Sequence, residues 1–116
     1  MRQKRAVGYI RVAATDQSNP RRRLEAQAAA IKSVAAAAGI NLLRVFEDTG
    51  VSAHNTVRPG LLALLAAVDA GLVDVVIVQD LSRLARDADH LHRLRETFDG
   101  HSVRVIAADE LRHPEK

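Results

Sequence analysis

Between Ala6 and Val12 apolar residues run almost without a break, and only Arg11, near the end, carries charge. A short run of this kind predicts an interior strand of a parallel sheet, covered on both faces. The period then changes. Over "RRRLEAQAAAIKSVAAAAG" Leu24, Ala28, Ile31, Ala35 and Ala38 recur at helical spacing, with Pro20 near the start and Gly39 as the stop. The small residues on that stripe predict a helix lying close against a sheet.

"INLLRVFED" reads as a second strand, and the segment from Thr49 to Val57 has no apolar period and reads as a loop. Pro59 suits the first turn of a helix that continues through "GLLALLAAVDAG" to Gly71. In "VDVVIVQD" the residues Val73 to Val78 predict a strand buried on both faces. A third helix follows, with Leu84, Ala88, Leu91 and Phe98 on one stripe, and "SVRVIAAD" predicts a fourth strand.

Strands and helices alternate with no hairpin signal between strands, which predicts an α/β fold: a mostly parallel sheet of about four strands with helices on both faces. The expected organisation is a single domain over residues 1–109, with 110–116 a tail or the start of a further helix. In such a fold functional groups gather beyond the carboxyl ends of the strands. The segments expected there are Ala13 to Pro20, Thr49 to Arg58 and Asp80 to Arg86.

Composition narrows the chemistry. Aromatic residues are only 3% of the chain, so the core is built from Ala, Val, Leu and Ile, and stacking of bases on aromatic rings is disfavoured. The net charge of +3 is mild, but arginine is clustered at Arg21 to Arg23 and around Arg83, Arg86, Arg93 and Arg95, which suits a polyanionic partner. The chain has no cysteine, so disulfides, a thiolate nucleophile and Cys-ligated zinc are excluded. With no apolar segment long enough for a membrane span, a cytoplasmic location with no membrane partner is expected.

Arg11, Arg58, Arg83 and Arg86 lie at or beside the predicted strand ends. Arg83 and Arg86 are three apart, so on a helix already under way they would share a face and both reach one phosphate. Several arginines without metal ligands suit stabilisation of charge on a phosphoryl group. The competing reading has each arginine capping a strand or pairing with Asp48, Asp74, Asp80 or Asp87. No cofactor is expected: GxGxxG and P-loop patterns are absent after the first strand, and His90 and His92, two apart, point to different sides of a helix. Hydroxyl candidates for a nucleophile are Thr15, Ser18, Ser52, Ser82 and Tyr9, with Tyr9 equally read as core and Ser82 as the cap of the third helix.

The motifs "YIRVAATDQ", "LEAQ", "DTGVSA" followed by "RP", and "DVVIVQDLSRLARD" occur in one order from Tyr9 to Asp87. In that combination the chain resembles the catalytic domain of the serine recombinases, the resolvase and invertase group, which cut DNA through a covalent phosphoserine. The resemblance implies that Arg11, Arg58, Arg83 and Arg86 surround a DNA phosphate, with Gln17, Asp48, Ser52 and Asp74 in support. It also implies a DNA backbone partner and assembly as a homodimer or as a hetero-oligomer with an intact recombinase.

Three positions depart from the family pattern. The nucleophilic serine falls on Ala13, the threonine after it on Ala14, and the aspartate before the paired-arginine motif on Ser82. Alanine has no atom that attacks phosphorus, so the resemblance implies a recombinase-like domain that has lost DNA cleavage. Two alternatives stay open: an active-site variant of a functional recombinase, and a non-catalytic α/β module for protein interaction or regulation.

Overall fold

The structure is a computed structural model that describes residues 3–12, 20–50 and 58–112. Strand β1 (Arg5–Val12) is followed by helix α1 (Pro20–Ala38), β2 (Asn41–Thr49), α2 (Pro59–Asp69), β3 (Val75–Val78), a 3-10 turn at Leu81–Arg83, α3 (Ala88–Gly100), β4 (Arg104–Ala107) and α4 (Ala108–Arg112). The four strands form one sheet in the order β2-β1-β3-β4, and every pairing is parallel. This is the α/β architecture that the apolar runs predict.

Alternation within the central strands divides the core into two layers. Val7, Tyr9, Val76 and Val78 face α2 and α3, where they pack with Phe46, Leu64, Leu94 and Phe98. Ala6, Ile10, Val75 and Ile77 face the other way, onto Leu24, Ile31 and Ala35 of α1. Ala38, expected on the same stripe, is exposed, because the last turn of α1 runs past the layer it covers. Gly39 and Gly71 do stop their helices, and both hold φ values, 68° and 77°, that side chains with a Cβ rarely adopt.

The order of strands creates a switch point. The chain leaves β1 toward β2 on one side and β3 toward β4 on the other, so a crevice opens between the carboxyl ends of β1 and β3. The segment after β3 differs from the periodicity-based expectation. A single turn at Leu81–Arg83 is followed by a break, and α3 starts only at Ala88, capped by the Asp87 carboxylate on the Asp89 N–H. Leu84 is buried, but on the connecting segment and not on α3. Ser82 is no cap of the third helix either; it lies inside the turn, whose cap is Asp80.

Candidate functional site

The site begins where the sheet becomes uneven. Strand β3 ends at Val78, opposite Tyr9, whereas β1 and β2 stay paired as far as Val12 and Thr49. Val12 turns its carbonyl toward β2, accepting from the Gly50 N–H at 2.8 Å, so the polar groups of Arg11 face the side where β3 is missing. A buried N–H or C=O there needs another partner. The Gln27 amide supplies both: its Oε1 accepts from the Arg11 N–H at 3.2 Å and its Nε2 donates to the Arg11 carbonyl at 3.1 Å. Gln27 is itself 2% exposed, so α1 clamps the end of β1 from within the core.

Opposite this clamp, two buried arginines hold the 3-10 turn by its carbonyls. Arg11 donates from Nε to the Arg83 carbonyl and from Nη2 to the Ser82 carbonyl, at 3.4 and 3.3 Å. Arg58 donates to the carbonyls of Leu84 and Arg83, at 2.6 and 2.7 Å. Arg58 is 1% exposed and also donates to the Tyr9 hydroxyl, 3.0 Å from its Nη2. These contacts turn the carbonyls of Ser82, Arg83 and Leu84 inward, with the Arg83 side chain half-buried and Arg86 exposed. Arg83 returns the contact, donating from Nη1 to the Arg11 carbonyl at 3.1 Å.

Asp48 positions Arg58. Its carboxylate accepts from the Tyr9 hydroxyl at 2.6 Å and from the backbone N–H groups of Gly60 and Leu61 at 2.7 and 3.0 Å. Arg58 occupies the N-cap position of α2 without capping through its own side chain, so the Asp48 carboxylate from β2 does that work instead. The approach is close: a Cβ on Gly60 would lie 2.4 Å from the Glu47 carbonyl oxygen. Burial, first, and the Asp48 hydrogen bond push the Tyr9 hydroxyl pKa up, against the opposing pull of Arg58. Tyr9 is therefore a fixed neutral donor to Asp48, which removes it as a nucleophile.

Positive charge is concentrated here. Burial lowers the Arg11 pKa, and Arg58, Arg83 and Arg86 lower it further, with only Tyr9 acting the other way among the named influences. Arg83 makes an ion pair with Asp80, 3.4 Å from Nε to Oδ2, but that nitrogen is off hydrogen-bond geometry. Arg86 is exposed on the segment before α3, so the shared helical face expected for Arg83 and Arg86 does not exist, although both act electrostatically on Arg11.

Asp74 lies elsewhere. It precedes β3 at the amino-terminal edge of the sheet, where it pairs with Arg5, 3.1 Å from Nε to Oδ2. There it ties the start of β1 to the start of β3. Ala13, Gln17 and Ser52, like Thr15 and Ser18, lie outside the described residues. Gln27 is the participant that residue-by-residue reasoning missed; "LEAQ" contains it, but its role depends on β3 ending two residues before Arg11. Among the described residues no group of three His, Cys, Asp or Glu side chains is placed to hold a metal ion. No helix among them is long and apolar enough to cross a membrane.

Fold and site together define a parallel α/β domain with an arginine cluster at its topological switch point. The chain belongs to the resolvase N-terminal domain family, whose model matches residues 6–116. It is 37% identical over 99 residues to the transposon Tn501 resolvase of Pseudomonas aeruginosa, covering 85% of this chain and 44% of that protein. The chain thus spans less than half the length of the curated relatives it matches. Among solved structures, the C-terminal catalytic domain of ISC1926 TnpA, an IS607-like serine recombinase, superposes with a TM-score of 0.79 at 34% identity, over 89% of this chain and 68% of that one. The N-terminal catalytic domain of TP901-1 integrase shares the fold, with a TM-score of 0.77 at 24% identity over 92% of this chain and 78% of that one.

Proposed function

We propose that this chain is a serine-recombinase-type domain that grips a phosphate of the DNA backbone with its arginine cluster and does not cleave it. The observation that carries the reading is the convergence of Arg11, Arg58 and Arg83 on one turn at the carboxyl end of β3, and the electrostatics support it. Arg11 is buried, and Arg58, Arg83 and Arg86 all disfavour its charge. A cluster of like charges opposes folding, and an anion bound among them relieves the repulsion. Arg83 and Arg86 contact that phosphate at the rim, while Arg11 and Arg58 hold the turn beneath them and add their field.

Loss of cleavage follows from Ala13, which occupies the position of the family's attacking serine and brings a methyl group where a hydroxyl is required. Gln17 and Ser52 take supporting roles at the phosphate, Asp48 supports it by positioning Arg58, and no cofactor takes part. The domain acts at a recombination site in the cytoplasm by occupying DNA or by pairing with a second copy or an intact recombinase. DNA affinity measured by fluorescence anisotropy across a salt series tests this. The expected result is a log–log decline of the binding constant with salt, with supercoiled plasmid left uncut. Salt-insensitive binding, or nicking that disappears in Arg83→Ala, would overturn the proposal; the first outcome favours a protein-interaction module and the second an active enzyme.

A further inference from the structure

On the α1 side of the switch point an open cleft of about 300 Å³ adjoins the arginine cluster, with Arg23, Gln27, Gln79, Asp80, Arg83 and Asp109 in its walls. Its size falls at the lower end of the range for small-molecule sites, which is roughly 300–1,000 Å³. The cleft is built from fixed parts. Gln27 forms an immobile wall because its amide is engaged by the Arg11 backbone. The Asp109 N–H donates to the Gln79 carbonyl at 2.9 Å, which joins the end of β3 to the start of α4. Asp80 is held by the Ser82 N–H and hydroxyl and by Arg83.

Among the described residues the walls carry both signs of charge, which bears on the ligand. Two carboxylates, Asp80 and Asp109, disfavour a second phosphate; two guanidinium groups, Arg23 and Arg83, disfavour a cation. The polar side chains disfavour an apolar guest. What fits is a neutral, planar group with donors along one edge and acceptors along another. Guanine has this pattern: N7 and O6 accept from a guanidinium, and N1–H with the N2 amino group donates to a carboxylate. The scarcity of aromatic side chains is no obstacle, because such a site reads edges and needs no stacking platform.

Arg83 connects the two sites. It lines the cleft, and its guanidinium donates to the Arg11 carbonyl. A base in the cleft therefore sits beside a phosphate on the rim. We propose that this cleft binds an unstacked guanine base adjoining the phosphate held by the arginine cluster, with Asp109 accepting from N1–H and N2–H and the guanidinium groups donating to O6 and N7. The proposal rests on the DNA-phosphate reading above for its setting, and the base itself is the new element. Single-stranded or nicked DNA supplies such a base most readily.

The test is an NMR titration of the ¹⁵N-labelled full chain with 2′-deoxyguanosine, 2′-deoxyadenosine and thymidine, each lacking phosphate, and separately with 2-deoxyribose 5-phosphate. Deoxyguanosine is expected to give saturable shifts at Gln79, Asp80 and Asp109, and the other two nucleosides weaker ones. Asp109→Asn, which keeps the shape but turns an acceptor into a donor, is expected to weaken deoxyguanosine binding by at least about fivefold. Absence of saturable shifts, equal affinity for all three nucleosides, or unchanged affinity in Asp109→Asn would overturn the proposal. Shifts at Arg86, which is not part of the cleft wall, report on the phosphate site when the sugar phosphate is added, so failure there is read separately.

Discussion

The Tyr9 hydroxyl donates a 2.6 Å hydrogen bond to Asp48 Oδ2, and the same hydroxyl oxygen accepts from Arg58. One buried phenol thus separates a carboxylate from a guanidinium and satisfies both. Tyr9→Phe leaves both buried partners short of a hydrogen bond, and an expected loss of about 1–3 kcal/mol in unfolding free energy is measurable by urea denaturation.

The pH dependence has a definite sign. The folded protein holds the Tyr9 proton more tightly than the unfolded chain, whose phenol titrates near the ordinary value of 10.0. The Tyr9 contribution is complete below that pH and is lost as pH rises from there toward the folded-state value. Because the chain has a single tyrosine and no tryptophan, tyrosinate absorbance isolates this group. Absorbance should rise together with loss of helical circular dichroism above about pH 10, and not before it.

Gly60→Ala should destabilise the domain by about 1–3 kcal/mol or more, because the new methyl group meets backbone that no rotamer change moves aside. The contact is with the Glu47 carbonyl, immediately before Asp48. Thermal melts give the stability change, and DNA binding by the folded fraction shows whether Arg58 is displaced with the start of α2.

Gln27→Leu should cost about 1–3 kcal/mol by leaving the Arg11 N–H without its acceptor in the core. The Arg11 carbonyl keeps its bond from Arg83. Hydrogen exchange at the Arg11 amide is the direct readout, with protection expected to fall more than at Tyr9.

These elements were unequally legible in the sequence. The β-α alternation was readable because Val75 to Val78 form an unbroken apolar run while Leu24, Ile31 and Ala35 recur at helical spacing, and all of these are buried, although Ala38 of the same stripe is not. The start of α3 was not, since Leu84 and Leu91 fit a helical stripe although Asp87 caps a helix that begins after Leu84. The arginines could be named from their places at strand ends, but not the way Arg11 and Arg58 hold the turn by its carbonyls. Asp74 was named through a motif, and only the strand register shows that it belongs to the opposite edge. Gln27 was hidden because its partner is backbone, which has no residue type to recognise.

Arg83→Ala and Arg86→Ala should each weaken DNA binding across sequences and reduce the steepness of its salt dependence by about one unit. Equal slopes in the variants and the native chain would show that these arginines do not face the phosphate.

Intact-protein mass spectrometry after incubation with a nicked DNA duplex separates a phosphate site without a nucleophile from an active one. A nicked strand traps any covalent intermediate by letting the cleaved fragment diffuse away. Only the unmodified mass of the native chain, 12.6 kDa, is expected. A species heavier by one DNA fragment, resistant to denaturation, would contradict it.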